Sequence, residues 1–482
     1  TRILFLGQGA VFSAPASGGA ARQEVPADHG KAITSAAWAP NGQTIAYVVA
    51  DSLFLQETSG TTRLLAQISE PSSCTWSPDG TLLACSSGNA RYLTLGDEFG
   101  NLSPNRIVVC RARDGAISTV TDSISLNVSP IWSPDGRWLY YVSNRLGPRD
   151  LYGLRISRDG QASGQPVRLT TGLGAQSLSI SADGARIAYA VYSQKANIWS
   201  LPLPSRPPVS ARAATPVTTG SQLIEAMQVS RDGRWLYYDS DRSGNSDIYR
   251  QPLAGGEAER LTTDPADDFS PSPSPNGREL AFHSWRGGSR DIYVQPLDGR
   301  PLQRVTSSPA QELIPDWSPD GSALAFQSGY NEGSIWVVRR QGKNAWGKPV
   351  QRTARGIVPN WSPDGKLIAY VVGNFEDGGS IAVVPADSGA PQVILDASRT
   401  GTPRAEVAIW SPDGRTIYFK SHDAKSNASF WSIPSTGGTP RLLVRFDDPA
   451  RPSYRSEWAM QGNRFYFLIQ DRQSDVWVME TD

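Results

Sequence analysis

A turn built on Trp-Ser-Pro-Asp-Gly recurs along this chain, and it constrains the fold more than any other feature. Five copies carry the full motif, at residues 76–80, 132–136, 317–321, 361–365 and 410–414. Weaker copies end at Gly42, Gly184, Gly233, Gly277 and Gly462. Successive turn glycines therefore lie 38, 56, 48, 49, 44, 44, 44, 49 and 48 residues apart. A period in that range marks an array of supersecondary units, none of which buries its apolar face alone.

The content of one unit follows from residues 226–263. A short apolar strand around Met227 and Val229 is turned by Arg231-Asp232-Gly233. Trp235-Leu236-Tyr237-Tyr238-Asp239 has the aromatic content of a second strand. The polar stretch from Asp241 to Ser246 turns the chain again. Asp247-Ile248-Tyr249-Arg250 is a third strand, Gly255-Gly256 a further turn, and Glu259-Arg260-Leu261-Thr262-Thr263 a fourth. Four short strands without helical periodicity describe one blade of a β-propeller. The expected fold is therefore all-β, a β-propeller of ten to eleven four-stranded modules, arranged as two rings or one large ring.

The turn has a physical rationale. Proline fixes φ near −65°, Asp tolerates the next position, and Gly takes the left-handed conformation that follows. Downstream of it, Leu139-Tyr140-Tyr141, Ile187-Ala188-Tyr189, Leu280-Ala281-Phe282, Leu324-Ala325-Phe326 and Ile368-Ala369-Tyr370 carry the chain into the core. The repeated Trp and Tyr residues read as packing between neighbouring units, not as a cofactor box. Asp79, Asp135, Asp320, Asp364 and Asp413 recur once per unit. The turn accounts for them, whereas calcium needs six to eight oxygens in one place.

The string Trp-Ser-Pro-Asp-Gly-x-x-Leu-Ala-Tyr, followed by Asp-Ile-Tyr-Val and Arg-Leu-Thr, resembles the TolB-type propeller repeat along essentially the whole chain. Residues 239–249, 261–268 and 475–480 are similar, more narrowly, to the propeller that bacterial membrane-anchored serine/threonine kinases carry beyond their membrane helix. No kinase Gly-rich loop, catalytic loop or Asp-Phe-Gly motif occurs in the sequence. The resemblance implies an extracytoplasmic sensor or docking region, tethered through a segment outside this sequence.

Composition narrows the function classes. The 482 residues carry no net charge, with a pI near 6.8, so no basic face points to nucleic acid. No apolar run approaches 18 residues, so no helical membrane span is expected. The chain starts at Thr1 without a methionine and reads as a processed or excised piece. Gly-x-Ser-x-Gly is absent from the sequence, which removes α/β-hydrolase chemistry. Only His29, His283 and His422 are present, scattered, which argues against general-base and most metal chemistry. His283 reads as capping a core edge. No cofactor and no metal are expected.

Cys74, Cys85 and Cys110 fall on three successive strands of one unit. A three-residue loop between the first two would turn Cys74 and Cys85 to opposite faces. The pair then placed to bridge is Cys85–Cys110, and three buried free thiols is the other reading.

Residues 1–203 hold about five modules and residues 217–482 about six, with a Pro-rich seam at 203–216. A single ten-bladed ring over 1–482 is the alternative. The N-terminal residues read as the later strands of a unit whose first strand is missing. Residues 458–479 read as the first three strands of another. The longest insertion, residues 86–105, supplies the first candidate binding residues: Arg91, Tyr92, Asp97, Glu98 and Phe99. Arg242, Asn245, Trp285 and Arg286, on equivalent loops of two later units, are the second set.

The expected function is non-catalytic binding of a protein or peptide, with a glycan as the second ligand class. Nucleic acid is not expected as a partner. A carbohydrate-active or other hydrolase or lyase working in the channel is one alternative. It would require carboxylates converging with Lys, Arg or His at the axis. An architectural subunit of an extracellular assembly is the other.

Overall fold

The computed structural model describes residues 2–27, 32–88, 104–146, 149–329, 333–342, 345–375 and 377–481. Antiparallel sheets, most of them of four sequential strands, make up the protein. It divides into two compact units. Of the described residues, one holds those up to 193 and 473–481, and the other holds 194–472.

The first unit opens with a three-stranded sheet of β1 (Arg2–Gly7), β2 (Ala10–Pro15) and β3 (Arg22–Val25). Its second sheet begins with β4 (Ile33–Trp38) and continues through Thr44–Val49, Ser52–Glu57 and Thr62–Gln67. Four-stranded sheets starting at Pro71–Trp76 and Asn127–Trp132 follow.

The second unit is a six-bladed ring. Five blades begin with the inner strands Met227–Val229, Asp268–Pro273, Glu312–Trp317, Ile357–Trp361 and Val407–Trp410. The sixth is composite. Trp458–Gln461 and the first part of Arg464–Glu480 supply its inner strands, while the later part of Arg186–Pro202 and the short strand Thr215–Pro216 supply its outer ones. The sequence predicts a turn between the second and third strands of the C-terminal repeat. Instead Arg464–Glu480 runs through as one strand. The run Gln470 to Ser474 is polar throughout and nonetheless stays extended.

Each recurring sequence feature has a place in this architecture. In the Ser-Pro-Asp-Gly turn, Ser133 Oγ donates to Asp135 Oδ1 (2.6 Å) and accepts the N–H of Trp138 (2.9 Å). Asp135 Oδ1 also accepts from Arg137 N (3.0 Å). These bonds, that from Ser133 first, hold the Asp135 carboxyl below the usual carboxylate range. The same bonds recur at Ser318/Asp320, Ser362/Asp364 and Ser411/Asp413. In each of these aspartates Oδ1 is engaged within its own turn.

The motif tryptophans join one blade to the next. Trp76, Trp132, Trp317, Trp361 and Trp410 each donate the indole N–H to a backbone carbonyl on the inner strand of the preceding blade. The acceptors are Ala37, Thr75, Ser272, Asp316 and Asn360, at 3.0–3.4 Å. In four of these pairs the acceptor is the residue just before the preceding repeat's own tryptophan; Ser272 precedes Pro273, which occupies that position.

Asp-Ile-Tyr and Arg-Leu-Thr are two halves of one device on the outer strands. Arg260 Nη2 reaches Asp247 Oδ2 (2.5 Å), and Thr262 Oγ1 accepts from Ile248 N (2.9 Å). Arg304, Asp291, Ile292 and Thr306 repeat the arrangement.

The disulfide corrects the expectation from sequence. The bridge joins Cys74 and Cys85, not Cys85 and Cys110, and Cys110 is a buried free thiol. The Ser77–Leu82 backbone bond closes a loop of four residues, not three, so the register keeps Trp76 opposite Leu83 and Thr75 opposite Ala84. An even loop leaves Cys74 facing Cys85, whereas Cys110 lies opposite Leu83.

Two outcomes are expected. Denatured without reductant, the chain should titrate one thiol, rising to three after reduction; a count of three without reductant would disprove the bridge. Trp361→Phe keeps an aromatic ring but gives up part of the indole's bulk and strands the Asp316 carbonyl. It should cost about 1–3 kcal/mol, read as a lower denaturant midpoint at unchanged m.

Candidate functional site

Backbone geometry at the inner strands creates the site in the six-bladed unit. Ser270, Ile314 and Val358 each adopt a positive φ, of 54°, 52° and 52°, where the register with the second strand shifts. A left-handed residue in a strand turns its N–H out of the ladder and must find another acceptor. The acceptor is a polar side chain near the end of the preceding blade's second strand. Asp239 Oδ2 accepts from Ser270 N (3.2 Å), His283 Nδ1 from Ile314 N (3.4 Å) and Gln327 Oε1 from Val358 N (3.2 Å). Where the side chain is Lys420, the polarity inverts. Its Nζ donates to Ser453 O (3.0 Å), Ser453 Oγ (2.9 Å) and the carbonyl of Arg455.

These junctions concentrate charge in the interior. Arg455 Nη1 meets Glu225 Oε2 at 3.2 Å, with both side chains essentially without solvent. Asp239 Oδ1 accepts from the N–H groups of Glu225 (2.7 Å) and Ala226 (2.9 Å). Burial, reinforced by Glu225, pushes the Asp239 carboxyl up to about 7. Asp267, which accepts from Ser246 N at 2.8 Å, is pushed up by burial to about 8. Burial lowers Lys420 to about 8. His422 sits between Glu406 Oε1 (2.6 Å from Nδ1) and the Ser453 carbonyl (2.7 Å from Nε2). His283, expected to cap a core edge, is fully buried and holds the backbone of the next blade; burial takes it well below the ordinary histidine range.

Between the inner strands lies a narrow axial cavity of about 80 Å³. Every blade contributes to its wall: Met227, Pro271, Ile314, Val358, Ile409 and Trp458 are its apolar lining, one from each. Its polar groups are few. Asp316 Oδ2 accepts from Trp361 N (2.8 Å) and Asn360 Nδ2 (3.3 Å), and burial raises its carboxyl to about 7. Glu457 is also raised to about 7 by burial, and its Oε2 is buried with no hydrogen-bond partner among the described residues. The cavity thus offers a mostly apolar wall in which the Glu457 carboxyl and the Ser270 hydroxyl are buried without a hydrogen-bond partner among the described residues.

The residues predicted from sequence fare unevenly. Arg91, Tyr92, Asp97, Glu98 and Phe99 lie outside the described residues, as does His29. Arg242 is exposed and stacks over Tyr249, 3.7 Å from the ring centroid. Asn245 donates to the carbonyls of Asp264 (3.0 Å) and Ala266 (3.3 Å), tying its own loop to the next blade. Arg286 grips both oxygens of Asp268 (2.7 and 2.6 Å) and approaches Asp264 at 3.7 Å. Trp285 is half-buried beneath the Arg290 guanidinium, 4.6 Å away. The structure therefore gathers Asn245 and Arg286 around Asp264, but as scaffolding between blades.

Sequence reasoning missed Asp239, Gln327, Lys420, Glu457 and Asp316. A signal for the first three was present: Asp239, His283, Gln327 and Lys420 occupy one column of the repeat, each followed by serine. Glu457 and Asp316 had none. Among the described residues, no group of three or more His, Cys, Asp or Glu is arranged to hold a metal ion, and no helix is long and apolar enough to cross a membrane.

Comparison with known proteins places this geometry in context. A family model described as the TolB beta propeller domain matches residues 19–203 and 265–453. The chain is 30% identical over 204 residues to an uncharacterized protein of Agrobacterium fabrum, covering 42% of this chain and 61% of that one. It is 31% identical over 149 residues to the Tol-Pal system protein TolB of Francisella tularensis, covering 30% of this chain and 29% of that one. A solved structure assigned as TolB from Agrobacterium tumefaciens is similar at 22% identity with a TM-score of 0.46, over 58% of this chain and 99% of that one. An oligogalacturonate lyase in complex with manganese is similar at 14% identity and a TM-score of 0.38, over 76% of this chain and 95% of that one.

The buried carboxyls predict a pH dependence. A carboxyl whose folded value lies above its unfolded one keeps its proton longer in the native state, so its stabilising contribution is complete at low pH and is lost as pH rises through the folded value. With Asp239, Asp316 and Glu457 near 7 and Asp267 near 8, the thermal midpoint should fall between about pH 5 and 8. Glu457→Gln should flatten part of that fall. A midpoint that rises across this range, or a variant as steep as wild type, would contradict the assignment.

Proposed function

Because the chain belongs to the TolB beta propeller domain family, we propose that it is a non-catalytic binding protein whose six-bladed unit receives a protein or peptide segment in its axial cavity. The observation that carries this reading is the contrast between the cavity and the charge around it. The charged groups are committed to the scaffold: Asp239 to three backbone N–H groups, Lys420 to three oxygens of the sixth blade, and Arg455 to Glu225. The cavity wall, in contrast, is mostly apolar, with one unspent carboxyl and one unspent hydroxyl. Ligand pockets combine mostly apolar walls with a few orienting polar groups. Here an apolar side chain or turn fills the space, and a donor from the ligand meets Glu457.

Catalysis by general acid and base would need a carboxylate pair with nothing else to hold. Asp316, the other carboxyl of the cavity, is held by Trp361 N and Asn360 Nδ2. The Cys74–Cys85 bridge supports work outside the cytoplasm, since structural disulfides persist in oxidising compartments. In that setting the protein reads a ligand for a larger envelope or signalling assembly. Arg242 and the loop held by Asn245 are proposed as outer contacts of the partner.

The test combines trapping and blocking. A photocrosslinking residue at Gln228, which lines the cavity, should capture one protein partner at equimolar stoichiometry from an envelope extract of the source cells. Ile409→Trp, which fills the cavity, should abolish capture while leaving the thermal midpoint within a few degrees. Undiminished capture by the filled variant would sink the reading. So would turnover of a peptide or polysaccharide by the purified chain that Glu457→Gln removes.

A further inference from the structure

A groove of about 600 Å³ lies on the six-bladed unit and shares no lining residue with the axial cavity. Three stretches wall it: 195–199 of the strand Arg186–Pro202, 469–472 of the strand Arg464–Glu480, and 449–454, which leads from the fifth blade into the sixth. The first stretch reaches this place only because the sixth blade is composite. A space of this size suits an organic ligand and is too large for a single ion.

Trp199, Pro449, Pro452 and Ile469 form the apolar part of the lining. The polar part is rich in donors. The amide of Asn197 is spent within the blade, on Gly220 O (3.1 Å), Thr218 Oγ1 (3.1 Å) and Gln222 Nε2 (3.2 Å). Gln470 is different. It is 2% exposed, and its Oε1 accepts from the N–H groups of Tyr454 (2.9 Å) and Arg455 (3.1 Å). Those two donors fix which end of the amide is oxygen. The other end, Nε2, is buried with no acceptor among the described residues. A buried donor left over in this way asks for a ligand or a water.

Two cations stand with it in the lining. The Arg472 guanidinium lies over the Tyr454 ring, 4.0 Å from its centroid, and burial lowers the group to about 10. A charge drawn partly out of water attracts an anion more strongly than one at the surface. Lys195 supplies a second, exposed charge, and Asp471, also exposed, is the acid of the lining.

The backbone of the walls is already engaged. The two long strands pair with each other, and each has a further partner on its other side, Thr215–Pro216 and Trp458–Gln461. Residues 196 and 198 continue the first of these with bonds to Gln222 and Val217. An added strand finds no edge there, so recognition falls to side chains. A carboxylate offers two oxygens, one for the amide and one for the guanidinium.

We propose that this groove binds a carboxylate carried on an apolar body the size of one or two amino-acid residues. The carboxylate meets Gln470 Nε2 and the two cations, and the body covers Trp199 and Ile469. The chemistry is the same whether the carboxylate ends a polypeptide or belongs to a free organic acid. The site stands independently of the axial cavity.

The probes are acetyl-Ala-Leu-Phe with a free C-terminus, the same tripeptide as its amide, and 3-phenylpropionate, each titrated into the full chain by calorimetry. The free-acid peptide should bind saturably at one to one, and the amide at least about tenfold more weakly, since it lacks the charge. Phenylpropionate that matches or exceeds the peptide assigns the site to free organic acids; a preference for the peptide assigns it to chain termini. Gln470→Glu keeps the oxygen that holds Tyr454 and Arg455 but loses the Nε2 donor and adds like charge, so it should abolish binding of the acids. Ala450→Trp, at an exposed lining residue, should block the groove without touching the core, and it serves even if Gln470→Glu fails to fold. Ile409→Trp, in the axial cavity, should leave the affinity unchanged. Equal binding of acid and amide, no saturation by either acid at about 10 mM, or full affinity in Ala450→Trp would overturn the proposal. Binding lost in Ile409→Trp but kept in Ala450→Trp would overturn it in favour of the axial cavity.

Discussion

One hydrogen bond, from an indole N–H to the backbone of the sheet before it, sets the terms for this protein. A tryptophan at the end of an inner strand brings both a large apolar surface and a single directional donor. The surface alone would let neighbouring sheets slide. In four of the five motif copies the donor is aimed at the residue one position before the previous tryptophan, tying each sheet's height and rotation to the last, whereas Trp458 reaches Val407, three positions before Trp410. Trp361 reaches Asp316 and Trp410 reaches Asn360 by the same rule. The Ser-Pro-Asp-Gly turn that follows holds the strand end in place through its own closed set of bonds.

Left-handed residues at Ser270, Ile314 and Val358 are the complement of that staple. They cost backbone strain of order 1–3 kcal/mol each, offset by the acceptor that the preceding blade extends to each N–H. The choice of acceptor is where the repeats diverge. Aspartate, histidine and glutamine do the same work with different charge, and lysine does the reverse. The interior thereby acquires buried titratable groups, each engaged with the backbone of a neighbouring blade. Buried ions of this kind contribute little net stability when paired, but removing one partner is costly, so Arg455 and Glu225 hold the ring's last junction in a single arrangement.

The sequence made the fold legible because turn, aromatic strand and outer Asp/Arg/Thr device each repeat, and each has a local physical cause. Arg286 and Asn245 were singled out as loop residues with polar side chains. Their partners, Asp268 for Arg286 and the loop carbonyls of Asp264 and Ala266 for Asn245, lie 18 to 21 residues away and are invisible without the topology. The cysteine pairing failed on one residue of loop length, which inverts facing. Glu457 escaped notice because nothing local marks it: its raised carboxyl comes from five other blades closing around it. The column of Asp239, His283, Gln327 and Lys420 was readable in principle, as a polar position in otherwise buried strands. The continuous strand Arg464–Glu480 was not, since its polar middle is compatible with either a turn or an extended chain.

The composite blade carries a consequence for how the protein is made. Ser200 and Arg464 share a hydrogen bond across 264 residues of sequence, and the sixth blade contains nothing that joins them sooner. During vectorial synthesis the outer strands of that blade emerge early, pair with each other and wait without their inner partners while five blades are translated and stacked. At roughly 5–20 residues per second, that interval is on the order of ten seconds to a minute. The ring therefore closes late and all at once, and a nascent chain halted before residue 464 presents an open arc to the quality-control machinery.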